Sequence, residues 1–446
     1  MNLEPPTLVE GIHMGHGTMN LEPLYSYQQD NARNLLALLS TNGAACDRSE
    51  MGTGKTWTAA VVARRAGFFP VVCCPKTTIS NWRNVFDSCG VWQPYLITNY
   101  EKLRLGKHPG FYTRNGGWTK ERPLLIIFDE AHRLRDRKSQ QTRMLINAKK
   151  AGHKLLLLSA TLIQTPLDIA ALGYALGLFP RVSDWFSYAR RFGAHLNLRG
   201  YYDCSPSSGD LSRLNEVLSS KGVRTRIEDL GYYLPCANSV ELVDCPGCPS
   251  LEEIYRKVLA EALAGHDERR VKAASLIARG KAREAAEWAK VSFLVQETKD
   301  LVALGYSVVV FVNYRAILSD LAAELVDFSP SIITGGQTSC TRDDALGFFQ
   351  ANSTKVLLAN IKAGGIGLSL HDTTGNHPRV ALISPPESAI DLLQALGRIR
   401  RMGMASPGTN RILFASDSVE RVVFDKVKTK LNHLATLNDG DLEYEL

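Results

Sequence analysis

The sequence predicts an α/β protein made of two doubly wound parallel-sheet lobes with a mostly helical segment between them. Three observations predict it. Short apolar runs alternate with helical patterns in the first third of the chain, and the same alternation returns in the last third. The stretch between them instead repeats its apolar residues at three and four positions. Strands that alternate with helices form parallel sheets, because each crossover between parallel strands needs a connecting segment of helical length.

Residues 1–20 read as a tag or disordered start, since Met1-Asn-Leu-Glu-Pro5 recurs as Met19-Asn-Leu-Glu-Pro23. Residues 21–166 form the first lobe, with buried strands at Pro70–Cys74, Leu124–Phe128 and Lys154–Leu158. Residues 167–304 read as helical insertions and an inter-lobe linker, with helical spacing over Leu251–Leu263 and Ala282–Leu304. Residues 305–446 form the second lobe, with strands at Ser307–Val312, Ser331–Ile333, Lys355–Leu358, Arg379–Ile383 and Arg411–Phe414.

At 446 residues the chain is long enough for two or three domains, and 45% apolar content supplies an ordinary globular core. No apolar run approaches a membrane span and no signal peptide is visible, so a soluble intracellular protein is expected. Nine scattered cysteines fit reduced thiols. A formal charge of +7 is compatible with a polyanionic partner. Cys245-Pro-Gly-Cys248 is a single pair where a structural zinc site needs four ligands, so thiols in a turn are the expected reading.

Two motifs carry the chemistry. The first is Arg48-Ser-Glu-Met-Gly-Thr-Gly-Lys-Thr56, which runs into a helical pattern. Gly52 and Gly54 allow a tight turn that aims backbone N–H groups, that of Thr53 among them, at phosphate oxygens. Lys55 reaches the β- and γ-phosphates, and the Thr56 hydroxyl is placed to ligand Mg²⁺. Ser49 stands where the full pattern has its first glycine. The second motif is Leu124-Leu-Ile-Ile-Phe-Asp-Glu-Ala-His132, an apolar strand that ends in two carboxylates. Asp129 would hold Mg²⁺ through water, and Glu130 would act as general base on the attacking water. ATP with Mg²⁺ is therefore the expected cofactor.

A series of further segments carries a resemblance. They are Leu24-Tyr-Ser-Tyr-Gln28, Val71-Val-Cys-Cys-Pro-Lys-Thr-Thr-Ile-Ser-Asn-Trp82, Leu96-Ile-Thr-Asn-Tyr-Glu-Lys-Leu103 and Leu157-Leu-Ser-Ala-Thr-Leu-Ile-Gln164. Phe311-Val-Asn-Tyr-Arg315, Ala363-Gly-Gly-Ile-Gly-Leu-Ser-Leu370 and Gln394-Ala-Leu-Gly-Arg-Ile-Arg-Arg-Met-Gly403 follow in order. With the two motifs above, the chain resembles the Swi/Snf family of DNA translocases in helicase superfamily two, and within it the annealing-helicase or phage-type members.

That resemblance implies RecA-like lobes and assigns roles. Gln28 reads the adenine edge, with Tyr25 beside it where the family often has arginine, and Gly367 approaches the nucleotide. Ser159, Ala160, Thr161 and Gln394 couple hydrolysis to nucleic-acid binding. The nucleic-acid contacts are Lys76, Thr77, Asn81, Trp82, Thr98, Asn99, Tyr100, Asn313, Thr334, Gly335, Lys362 and Gly364. Arg398 and Arg401 stand at i and i+3, which on a helix would put both on one face as arginine fingers. Arg400 and Met404 stand where histidine and glutamine are usual. The basic run Arg133, Arg135, Arg137, Lys138, Arg143, Lys149 and Lys150 fits a nucleic-acid patch and a solvated face equally.

The implied function is an ATP-driven DNA translocase, working as a monomer on duplex or forked DNA without sequence preference. A strand-separating DNA or RNA helicase is the second reading, and no wedge hairpin or extra unwinding domain is apparent in the sequence. A catalytically dead nucleic-acid-binding scaffold is the third, opposed by the intact Lys55, Asp129, Glu130, Arg398 and Arg401.

Overall fold

Runs such as Leu124–Phe128 and Ser307–Val312 are buried along their whole length, as strands covered by helices on both faces must be. In a computed structural model the described residues are 24–91, 94–230, 234–265, 268–364, 368–416 and 418–439. The N-terminal repeat expected to be a tag lies outside them, as does Gly367. The chain divides into two units. One holds the described residues up to 230 together with those from Asn432 onward, and the other runs from Leu234 to Leu431.

The strands of the first unit, in chain order, are β1 (Ala44–Asp47), β2 (Phe69–Cys74), β3 (Leu96–Asn99), β4 (Leu124–Asp129), β5 (Lys154–Leu158), β6 (Ala194–Leu196), β7 (Tyr202–Cys204) and β8 (Gly222–Val223). Six of them form one sheet in the order β3-β2-β4-β5-β1-β8. Every pairing in it is parallel. One apolar cluster covers each face, the first built around Phe128, Leu155, Leu157 and Leu172, the second around Leu35, Val61, Trp82 and Leu156. Because the strands are parallel, β1, β4 and β5 all deliver their carboxyl ends to one edge, where ligands bind in such sheets.

β6 and β7 form a separate antiparallel hairpin that the sequence reading did not anticipate. Its exposed tip carries Leu198 and Tyr201.

The second unit adds β9 (Cys236–Val243), β10 (Ser307–Val312), β11 (Ser331–Ile333), β12 (Val356–Asn360), β13 (Arg379–Ile383) and β14 (Gly408–Ala415). Their order is β11-β12-β10-β13-β14-β9, again all parallel.

The segment over residues 167–304 is divided between the two units. Its first part, including the helix Ser208–Ser219 and β8, belongs to the first unit. Its second part begins with β9, an edge strand paired with β14 from Cys236↔Gly408 to Val243↔Ala415. An edge strand has one open side, so Asn238, Ser239 and Glu241 are tolerated there and no apolar run marks the strand. The expected helices do form, as Leu251–Ala264, Glu268–Ala289 and Val291–Ala303. The first opens on a capping box in which Ser250 and Glu253 satisfy each other's backbone N–H groups. No helix among the described residues is long and apolar enough to cross a membrane.

Candidate nucleotide and nucleic-acid sites

The phosphate loop leaves β1 at Asp47 and ends at Gly54, where the helix Lys55–Arg65 begins. Gly52 and Gly54 have φ of 84° and 81°, the left-handed region that glycine enters without strain. The loop is fastened on its outer side. Glu50 N–H donates to Thr225 O at 2.9 Å, and Thr225 and Ile227 N–H donate back to Ser49 Oγ and Glu50 Oε2. Arg48, only 1% exposed, donates to Asn215 Oδ1, Ser219 Oγ and the Leu437 carbonyl. Arg224 makes a bidentate pair with Asp439 at 2.6 and 2.7 Å. A collar from three distant segments thus braces the loop around Ser49.

Inside the loop, Lys55 Nζ donates to the Ser49 and Glu50 carbonyls at 2.7 and 2.8 Å. Burial pulls the Lys55 ammonium below its usual range, and Asp47, Glu130 and Asp129 act against that pull. The lysine therefore lies in the field of both carboxylates that end β4. Asp47, a residue the sequence reading passed over, is 1% exposed. Burial raises its carboxyl, Lys55 opposes the rise, and its Oδ2 has no hydrogen-bond partner among the described residues. Burial, with the like charge of Glu130, pushes Asp129 up to about 6. The Thr56 side chain is half-buried in the first helical turn.

Glu130 adopts a left-handed backbone, φ 52°, rare for a residue with a side chain. It turns the chain sharply off β4 and brings Glu130 Oε2 to 3.2 Å from His132 Nδ1. The same His132 nitrogen lies 3.1 Å from Ser159 Oγ, just beyond β5. Thr161 N–H donates to Ser159 Oγ, and Ala160 is buried between them. The Glu130–His132–Ser159 chain is a link that only the fold reveals.

Gln28 lies against this loop. Its Nε2 donates to Thr53 O at 2.9 Å and its Oε1 accepts from Tyr25 N–H at 3.1 Å. Tyr27 also donates to Thr53 O, at 2.6 Å, and stacks on Tyr25 with centroids 5.9 Å apart.

The expected nucleic-acid contacts separate into two groups. Lys76, Thr77 and Asn81 are exposed at the turn after β2, and Lys362 is exposed in the second unit. Thr334 and Gly335 are half-buried, their loop held by Gln337 Oε1 on Thr334 N–H and by Arg315 on Gly335 O. Gly364 ends the short helix Ile361–Gly364. The others are corrections. Trp82 is 0% exposed, Thr98 and Tyr100 are 2%, and Asn99 is 8%. Thr98 bonds His108, Asn99 caps the next helix by accepting from Lys102 N–H, and Trp82 and Tyr100 both bond Asp129. Asn313 spends its amide hydrogens on Glu287 Oε1 and Pro385 O. Asn313 is half-buried, whereas the side chains of Trp82, Thr98, Asn99 and Tyr100, buried and bonded internally, do not face a polyanion. The basic run is dispersed as well. Arg135 bonds Gln164, while the Arg137 guanidinium lies 4.8 Å and 4.2 Å from the Trp185 and Tyr202 ring centroids.

In the second unit, the helix bearing Gln394 ends at Leu396. Arg398 and Arg401 are therefore past the helix, and the expected shared helical face does not exist. They converge another way. Arg398 Nη1 and Arg401 Nη2 both donate to the Leu368 carbonyl, at 3.0 and 2.6 Å. Arg398 also donates to Gln394 O, and both Arg398 and Gln394 are nearly fully buried. Among the described residues no group of three or more His, Cys, Asp or Glu could hold a metal ion, Cys245 and Cys248 included.

The helicase conserved C-terminal domain matches residues 289–403. A protein of Acanthamoeba polyphaga mimivirus, named provisionally as an ATP-dependent RNA helicase, is 31% identical over 94% of this chain and 84% of its own. A Drosophila melanogaster relative is named as a SWI/SNF-related, matrix-associated, actin-dependent regulator of chromatin, subfamily A-like. It is 24% identical over 92% of this chain, which spans 55% of that relative's length. A Saccharomyces cerevisiae Dbp5 variant bound to RNA and ADP BeF3 superposes with a TM-score of 0.49 at 13% identity, covering 93% of this chain and 88% of its own. That superposition is partial, and the fold assignment stands on the strand order. A phosphate loop and paired carboxylates on one parallel-sheet edge, a second parallel-sheet unit, and identity sustained along most of a relative together place this chain in helicase superfamily two, as a nucleic-acid-dependent ATPase.

Proposed function

We propose that the chain is an ATP-driven translocase on duplex or forked DNA, which it remodels or anneals rather than separating long stretches. One observation carries the reading: the phosphate loop, the Asp129–Glu130 pair and the exposed Lys76, Thr77 and Asn81 all follow strands of one sheet on its carboxyl edge. Nucleotide and backbone phosphates would then be held by one rigid sheet. The seven motif segments, in Swi/Snf order, and the chromatin-regulator name of the Drosophila relative support duplex DNA as the track.

The donor set fits ATP with Mg²⁺. The Thr56 hydroxyl and the Asp129 carboxylate are hard oxygens, the kind Mg²⁺ takes. When bound, Mg²⁺ supplies charge neutralisation at the β- and γ-phosphates. Lys55 would leave its two carbonyls for those phosphates. Glu130, fixed by its turn and by His132, would take the proton of the attacking water. Gln28 and Tyr25 would border the adenine. Arg398 and Arg401 would answer the charge that develops on the transferred group, held ready by their shared carbonyl.

The mimivirus relative favours a second reading, an RNA helicase. ATPase assays with duplex DNA, single strands and RNA, beside triplex-displacement and duplex-unwinding assays, separate the two. The translocase reading expects stimulation by duplex or forked DNA and ATP-driven loss of a third strand. Stimulation by RNA alone, or ATP-driven separation of long duplexes, would transfer the chain to the helicase reading.

A further inference from the structure

Asp129 is gripped by two aromatic side chains from two different segments. Trp82, on the helix Ile79–Ser88, donates its indole N–H to Asp129 Oδ2 at 2.9 Å. Tyr100, opening the helix Tyr100–Arg104, donates its hydroxyl to the Asp129 carbonyl at 2.6 Å. Glu130 N–H occupies the remaining carboxylate oxygen, Oδ1, at 3.0 Å. Both carboxylate oxygens and the peptide behind them are thus oriented.

Packing alone does not require these polar atoms. Trp82 meets Phe86 edge-on at 5.6 Å, and Tyr100 lies 6.4 Å from Phe128, contacts that a phenylalanine would also make. What the N–H and O–H add is direction: a donor on an ionised carboxylate is short, strong and angle-dependent.

The tryptophan strut also leads outward. β2 is next to β4 in the sheet order and β3 is next to β2, so the segment that follows β2 lies beside the end of β4 and the one that follows β3 lies one strand further out. The turn after β2 shows Lys76 and Thr77 to solvent, and the helix it starts carries exposed Asn81 directly before buried Trp82. Any shift of that helix that re-seats Asn81 also moves the indole N–H on Asp129. On the other segment, Asn99 caps the helix that Tyr100 opens, so that the hydroxyl too rides on a fixed turn.

We propose that Trp82 and Tyr100 are positioning residues that aim the Asp129 carboxylate, and that Trp82 transmits to it the occupancy of the exposed Lys76–Thr77–Asn81 face by a DNA phosphate backbone. The inference rests on the metal-facing role proposed for Asp129 and on that face as the DNA contact. It makes the cation's hold on the nucleotide depend on DNA through one hydrogen bond rather than through bulk motion.

The test uses the full chain and calorimetric affinities for ADP, with and without Mg²⁺, each with and without a short DNA duplex. In the parent, Mg²⁺ should tighten ADP, and DNA should change the factor by which it does so. Trp82→Phe keeps the ring and drops the N–H. It should leave metal-free ADP affinity within about twofold and lose about tenfold of the Mg²⁺ tightening, the scale of one charge-assisted hydrogen bond. Tyr100→Phe removes only a hydroxyl, so it keeps the test open if the tryptophan variant folds poorly. It should lose part of the Mg²⁺ tightening and, with Trp82 intact, keep the effect of DNA on that factor. If both folded variants match the parent in Mg²⁺ tightening and in its DNA dependence, the inference is overturned and the site assignment stands. A parent that responds to neither Mg²⁺ nor DNA overturns both.

Discussion

Gln28 is wedged against the glycine from which the phosphate-loop helix starts: a Cβ built on Gly54 would lie 2.2 Å from Gln28 Nε2. Gly54 also holds φ 81°. Two independent constraints, one steric and one conformational, therefore act on a single position. Gly54→Ala is expected to weaken nucleotide binding by more than tenfold, measured with a fluorescent ADP analogue, because the left-handed backbone alone costs a side-chain-bearing residue about 1–2 kcal/mol. Adding Gln28→Ala relieves the clash and leaves the backbone strain, so the double variant should recover only part of the loss. Full recovery would show that the conformational constraint is unimportant.

Lys55→Ala should abolish ATP turnover, since Lys55 is the cation placed in the field of Asp129 and Glu130. Glu130→Gln should still bind ATP and stop hydrolysing it, because an amide is no base. Steady-state phosphate release and nucleotide binding, measured on both variants, check the pair. Parental turnover in Glu130→Gln would remove the base assignment.

Arg401→Ala should cut turnover on the order of a thousandfold with little change in ATP affinity. Arg398→Ala should do the same and also lower the melting temperature, because Arg398 is 2% exposed and holds the Gln394 and Leu368 carbonyls. Comparing turnover with thermal melts distinguishes the two residues. If both variants turn over within a few-fold of the parent, neither is a finger.

The pH dependence of stability should show His371. Burial, then Arg401 and Arg379, pull its imidazole down to about 4 from an ordinary value of 6.5. The folded state binds the proton less readily than the unfolded state. Its contribution is therefore fully present above about pH 6.5 and is lost as pH falls toward 4. His371→Gln should flatten the fall in melting temperature across that window. An unchanged slope in the variant would mean that other groups govern it.

The parts of the molecule legible in the sequence share a physical cause. Leu124–Phe128 and Val308–Val312 are apolar along their whole length because both faces are covered, and such runs stand out. The phosphate loop and the β4 carboxylates were legible because their chemistry needs fixed residue types at fixed spacing. β9 was hidden because an edge strand can be half polar. Arg398 and Arg401 were placed on a helix that stops at Leu396, although Gly397, which caps that helix, is a residue type that ends helices. Trp82, Thr98, Asn99 and Tyr100 were read as contacts from their motif positions, whereas their burial depends on neighbours far away in the chain. The His132–Ser159 and Arg224–Asp439 links join segments too distant for any spacing rule to pair.

The collar around the phosphate loop sets a schedule for making this enzyme. Arg48 holds the carbonyl of Leu437, a residue 389 positions later in the chain. Asp439, the partner of Arg224, comes later still. At ribosomal speeds of about 5–20 residues per second, roughly 20 to 80 seconds separate the two halves of that fastening. Throughout that interval a nascent first unit carries its loop, its lysine and its carboxylates with the outer clamp incomplete. A chain stopped early would bear every motif that marks an ATPase and still lack the bonds that brace the loop. The helix Glu420–Asp439 thus acts as a completion signal, so that the braced nucleotide site arrives only after Asp439 has been made.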